Sequence, residues 1–175
     1  MKGISMNSRL SLFVINGLLG TSVLLSYIWG VYSAEDPMAL WGKMPEAYIT
    51  YITGSMFIAA LGYIIYTLYI AFGRDIINSD NSFYQFNLTY IIILVSASVW
   101  MPLTVLYVDT SSLFYWILIV VSLYIVGFMS CFMTYLLIKS YPKNNLWKNI
   151  AIGGSIWFIF HTLILDAIVW VIYFH

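Results

Sequence analysis

Charge is what this chain has least of. Only 8% of its 175 residues are Asp, Glu, Lys or Arg, where a soluble domain carries about 25%. So few polar side chains cannot cover a water-exposed globule, so hydrocarbon must bathe most of the outer face. Seven basic residues balance seven acidic ones, which leaves no basic surface to attract nucleic acid. Cysteine is nearly absent. Cys131 stands alone, which rules out an internal disulfide or a thiolate metal site and makes it a small buried hydrophobe. Histidine occurs twice, as His161 and His175. HExxH, a histidine cluster, CxxC and a glycine-rich phosphate loop are all missing. A desaturase-type di-iron site is thereby excluded, and no lysine lies inside an apolar stretch to carry a Schiff base. No cofactor is specified by the residues present.

What fills the chain is apolar sequence. Five stretches run 10–33, 47–72, 87–108, 113–138 and 149–174, and the first four contain no charged residue. Each exceeds the roughly 20 residues an α-helix needs to cross a hydrocarbon core of about 30 Å. The expected fold is all-α, a polytopic bundle of five transmembrane helices forming a single transmembrane domain over 1–175. Lys2 and Arg9 before the first stretch mimic a signal peptide. The stretch is longer than the usual signal core of about 7–15 residues, and Tyr32 sits where a small residue belongs. It is read as a retained first helix.

The basic residues are distributed unevenly. Lys2, Arg9, Arg74, Lys139, Lys143 and Lys148 fall on one side of a five-span topology and Lys43 on the other. This bias predicts the N-terminus on the cytoplasmic side and the C-terminus opposite. Glu35, Asp36 and Glu46 make the first loop acidic, and the third loop, 109–112, is short enough to force helices 3 and 4 into antiparallel contact. Residues 73–86 and 139–148 read as polar turns. Asn87-Leu-Thr89 matches a glycosylation acceptor, but it abuts helix 3 on the predicted cytoplasmic side and is expected to stay unused.

Helices in lipid associate through small residues. Ser22, Ser26 and Gly30 form one such stripe on helix 1; Ser55, Ala59 and Gly62 form another on helix 2. Gly153 and Gly154 permit close approach on helix 5. The helix 2 stripe extends through tyrosines in both directions, adding Tyr48, Tyr51, Tyr66 and Tyr69. Tyr51 and Tyr66 could then line a cavity for a flat or lipophilic ligand. Alternatively the tyrosines near the ends are interfacial anchors. Pro102 inside helix 3 removes a backbone donor and bends the helix. The bend either opens space between helices or is merely tolerated, as membrane helices often allow.

Helix 5 holds the only ionisable residues deep in a span, His161 and Asp166. An intramembrane acid is expensive and is by default a functional-site candidate; a satisfied structural role is the alternative for each. On an α-helix Asp166 pairs with Thr162 and Trp170. His161 lies about 140° around the axis from it, so the two are not expected to form a dyad.

Two stretches resemble the tryptophan-rich sensory protein / translocator protein family, whose members are aromatic-rich five-helix membrane proteins. Trp100-Met-Pro102-Leu103 is similar to its Trp-x-Pro segment in helix 3. Trp157, Phe160, Thr162, Leu163 and Trp170 are similar to its pattern in helix 5, with a spacing from Trp157 to Trp170 one residue longer. Gly62-Tyr63 resembles that family's helix 2 more loosely. The resemblance implies binding of a porphyrin, sterol or similar lipophile in an aromatic pocket inside the bundle. Trp41 and Pro45 would belong to a lid, and Trp100, Pro102, Trp157 and Phe160 to the walls. Two other readings fit the sequence. One is an accessory subunit of a larger membrane complex, whose partners are other membrane helices; the other is a small membrane enzyme or transporter using Asp166 and His161. As partners, the bilayer and either a homodimer or a larger membrane assembly are open.

Overall fold

The computed structural model describes residues 6–73, 80–140 and 145–174. Lys2, Arg74, Lys143, His175 and most of the turn before Leu146 lie outside the described residues. The described residues are helical apart from short connections such as 34–36, 42–45 and 111–112, with no strand among them. Helix α1 is Met6–Ser33, followed by a 3-10 turn at Pro37–Trp41. Helix α2 is Glu46–Phe72, α3 is Asp80–Thr110 and α4 is Leu113–Lys139. Helix α5 runs Leu146–Phe174. It is α-helical over Leu146–Ile159, π-helical over Phe160–Trp170 and α-helical again over Val171–Phe174. Among the described residues five helices are therefore long and apolar enough to cross a membrane, and the chain is an all-α five-helix integral membrane protein.

Two boundaries differ from the sequence expectation. Helix α3 begins at Asp80, not Asn87. Phe83, Phe86 and Tyr90 recur at three- and four-residue steps and are all buried, so the polar residues between them lie on a helix rather than in a turn. Helix α5 begins at Leu146, where the Asn145 side chain accepts from the Trp147 amide at 3.0 Å. Lys148, assigned to a loop by its charge, is instead buried inside α5. Its ammonium donates to the Ile138 carbonyl at 2.8 Å and to that of Ser140, which satisfies the free carbonyls at the end of α4.

α3 packs between α1 and α4, and α5 packs against both α2 and α4. Large apolar side chains such as Leu18, Leu61, Phe57, Ile117 and Phe128 point outward, as lipid-facing residues do. Inside, one core cluster gathers Leu12, Tyr66, Ile70, Phe86, Tyr90, Leu137 and Ala151. A second, toward the other end, gathers Met44, Ile52, Ile119, Ala167, Trp170 and Phe174. Buried hydroxyls bond back along their own helices, Ser130 to the Val126 carbonyl at 2.7 Å and Thr104 to that of Trp100 at 2.9 Å. This removes free donors where no water can reach them.

The small-residue stripes set the close contacts. A Cβ on Gly62 would collide with the backbone of Gly154, and one on Gly30 with the Met101 side chain. Gly153 faces open space and makes no such contact. α3 continues through Pro102, whose neighbour Met101 fills the place beside Gly30.

Candidate functional site

His161 and Asp166 meet. Their Nε2 and Oδ2 atoms are 3.6 Å apart, against the expectation from α-helical geometry. The reason is the π-helical stretch that contains both. Hydrogen bonding from i to i+5 widens each turn, so residue 166 returns to the side of residue 161. From the opposite side of the imidazole, Nδ1 lies 3.2 Å from the Ser55 hydroxyl on α2. A Ser55–His161–Asp166 chain thus crosses the α2–α5 interface in the second half of the bundle. Ser55 and His161 are buried, while the Asp166 side chain keeps 22% of its accessible area. Among the described residues the carboxylate has no hydrogen-bond donor within bonding distance and His161 as its one ion-pair partner.

Aromatic side chains wall this chain. Tyr27 of α1 is near enough to Asp166 to interact with it electrostatically. Its ring lies 5.3 Å from that of Trp100, which lies 5.4 Å from Trp170 in a T-shaped pair. The Trp100 indole nitrogen is buried and has no hydrogen-bond partner among the described residues. Thr162, expected beside Asp166, instead donates to the Phe158 carbonyl at 2.8 Å and approaches the Ser130 hydroxyl at 3.3 Å.

The first loop closes one end of this region. Asp36 caps the 3-10 turn by accepting from the Met38 amide at 2.9 Å. Trp170 donates from Nε1 to the Leu40 carbonyl at 3.1 Å, and the Lys43 amide donates to the Tyr173 carbonyl at 3.0 Å. Trp41 packs against the cluster that includes Trp170 and Phe174. Gly42 adopts φ +60° with the Phe174 backbone where a Cβ would stand, so glycine is required there.

The nine residues singled out in the sequence therefore fall in three places. Trp41, Trp100, His161 and Asp166 belong to the second half of the bundle, with Pro102 on the same stretch of α3. Tyr66 lies at the other end, fully buried among Tyr63, Tyr90 and Phe158 with ring centroids 5.3, 6.2 and 5.9 Å away. Tyr51, Trp157 and Phe160 do not face the interior; they are 75%, 39% and 41% exposed. In the tyrosine stripe Ile52 takes the inward position expected for Tyr51, because the buried face steps back three residues from Ser55 rather than four. Trp157 still touches the site from outside, its Nε1 3.4 Å from the Ser55 carbonyl, and its ring packs on Phe160 at 5.5 Å.

Sequence reasoning missed Ser55 and Tyr27 as site members. Ser55 was visible only as a small packing residue, and nothing local to Tyr27 marks it. It also missed a second polar group around Tyr63, whose hydroxyl donates to the Asn16 Oδ1. Next to it Thr67 and Tyr90 share a hydrogen bond of 2.8 Å. Among the described residues no group of three His, Cys, Asp or Glu side chains could hold a metal ion. The class that fold and site define is an integral membrane five-helix bundle with a Ser–His–Asp chain across the α2–α5 interface. No known family, no characterised protein and no solved structure matches the chain.

Proposed function

We propose that this membrane protein binds a small lipophilic ligand, anchored by a polar group at the Ser55–His161–Asp166 chain. The observation that carries the reading is the His161–Asp166 approach at 3.6 Å within a π-helical stretch. Such stretches often mark functional sites, and ionisable side chains within a span are kept for a purpose by default. The accessible Asp166 carboxylate and the Tyr27–Trp100–Trp170 wall supply a polar anchor beside flat apolar faces, the usual make-up of a small-molecule site. The loop residues 37–44 cover the neighbouring end. This arrangement keeps the lipophile and loop lid of the translocator-type resemblance. It leaves out Trp157 and Phe160, expected as walls, because they face outward, and takes Asp166 as the anchor. A π stretch also accommodates the extra residue between Trp157 and Trp170 relative to that family. With the charge-derived orientation, the site lies in the half of the bilayer away from the cytoplasm.

The test is a titration of the purified full chain with protoporphyrin, cholesterol and a lipophilic amine, read by tryptophan emission. Saturable quenching by at least one of the three, weakened in His161→Ala, is the expected result. Emission indifferent to all three refutes the proposal.

A further inference from the structure

Resting on that reading, we infer that the site selects a lipophilic cation, an alkyl- or arylammonium, with Asp166 as its counter-ion and the Tyr27 and Trp100 rings as its walls. Three observations carry this. First, the Asp166 carboxylate is partly accessible and lacks a hydrogen-bond donor among the described residues, and its one ion-pair partner stands at 3.6 Å, beyond the usual range of about 2.7–3.2 Å for a direct N–H···O bond. The acid is therefore left with capacity for a cation.

Second, an aromatic side chain, Tyr27, lies within electrostatic reach of it. Tyr27 packs on Trp100 at 5.3 Å, backed by the buried Trp170 5.4 Å from Trp100, and tryptophan and tyrosine faces attract cations through their quadrupoles. Among the described residues no lysine or arginine pairs with Asp166, so no resident ammonium or guanidinium fills that role.

Third, the packing of α1 differs along its length. Toward one end it is tied to α2, where Tyr63 donates to Asn16 and Phe13 packs on Phe72 at 6.0 Å. It runs along α3 throughout, held by the Asn87–Ser11 hydrogen bond of 2.7 Å at that end and, at the level of the site, by Tyr27 on Trp100 and Gly30 on Met101. The Asp166 carboxylate on α5 keeps 22% of its accessible area, so an amphiphilic cation can present its charged head to it and leave its apolar part among rings and lipid.

The experiment compares two probes of one shape on the intact protein in nanodiscs. Benzyltrimethylammonium is the cation, and neopentylbenzene is its uncharged carbon isostere. The cation is expected to bind more tightly than the isostere, on the order of tenfold, as cation–π and counter-ion contacts in a desolvated site allow. In Asp166→Asn the cation should lose that advantage while the isostere binds as before. Equal affinity for the two probes on the native chain overturns the cation assignment and leaves the ligand site standing. Saturable binding of neither overturns both. The probe comparison needs no substitution, so a misfolded Asp166→Asn does not spoil it. A folded Asp166→Asn that retains the full preference for the cation also overturns the assignment.

Discussion

Gly62 of α2 and Gly154 of α5 meet backbone to backbone. A Cβ added at Gly154 would lie 2.9 Å from the Gly62 Cα, and one at Gly62 would strike the Gly154 carbonyl oxygen. Backbone cannot give way as a flexible side chain does. Gly62→Val should separate the two helices that hold Ser55 and His161 and destabilise the fold by about 1–3 kcal/mol. Gly153→Ala, one residue away in open space, should be neutral. Thermal unfolding in one detergent checks the pair; equal transition temperatures would rule out the contact.

The His161–Asp166 pair makes a quantitative claim on stability. Polar interactions between side chains in membrane proteins average about 0.6 kcal/mol and reach about 1.7. A double-mutant cycle with His161→Ala and Asp166→Asn should give a coupling energy in that range. A cycle that sums to zero would mean that the 3.6 Å approach contributes nothing to the fold.

Two neighbouring tyrosines should respond oppositely to loss of their hydroxyls. Tyr63 donates to Asn16, so Tyr63→Phe should cost about 0.6 kcal/mol. The Tyr66 hydroxyl is buried with no partner among the described residues, and burying such a group costs about 1–3 kcal/mol. Tyr66→Phe should therefore leave stability unchanged or raise it. Unfolding midpoints of the two variants, measured together, decide this; a marked loss for Tyr66→Phe would reveal an unseen partner.

The first loop is held to the end of α5 by the Trp170–Leu40 hydrogen bond and by the fit of Gly42 against Phe174. Trp170→Phe should loosen the loop at a cost of about 1 kcal/mol. Gly42→Ala should loosen it further, because alanine resists positive φ and its Cβ has no room. Faster amide exchange over residues 37–44 in both variants, in that order, is the expected readout. Unchanged protection in Gly42→Ala would contradict the close approach.

Much of the fold could be read directly from the residues. Hydropathy summed over a span is a one-dimensional property, so the five spans of the structure coincide with the five apolar stretches to within a few residues, save at the start of α3. There Phe83 and Phe86 carried a helical period that the surrounding Asn, Asp and Ser disguised. Lys148 was misplaced for a related reason. Its charge signalled a loop, yet it folds back along its own methylenes to reach the carbonyls of Ile138 and Ser140.

The site was legible as a set of residue types and not as a place. His161 and Asp166 stood out because ionisable groups are rare in hydrocarbon. Their separation by five positions argued against contact, since sequence carries no mark of where a helix changes from i+4 to i+5 bonding. Tyr51 and Ile52 are adjacent and both at home in a membrane helix; only the position of α5 chooses which of them is inward.

From the order of its residues alone, then, the chain is committed to lipid and to five helical crossings, because length and apolarity suffice to satisfy backbone groups and transfer side chains out of water. Tertiary packing settled the rest. The backbone contact of Gly62 with Gly154 sets α2 against α5, and the π register turns Asp166 back to His161 and so assembles a polar chain from Ser55, His161 and Asp166. Neither follows from local preference, because both depend on which surfaces of separate helices meet.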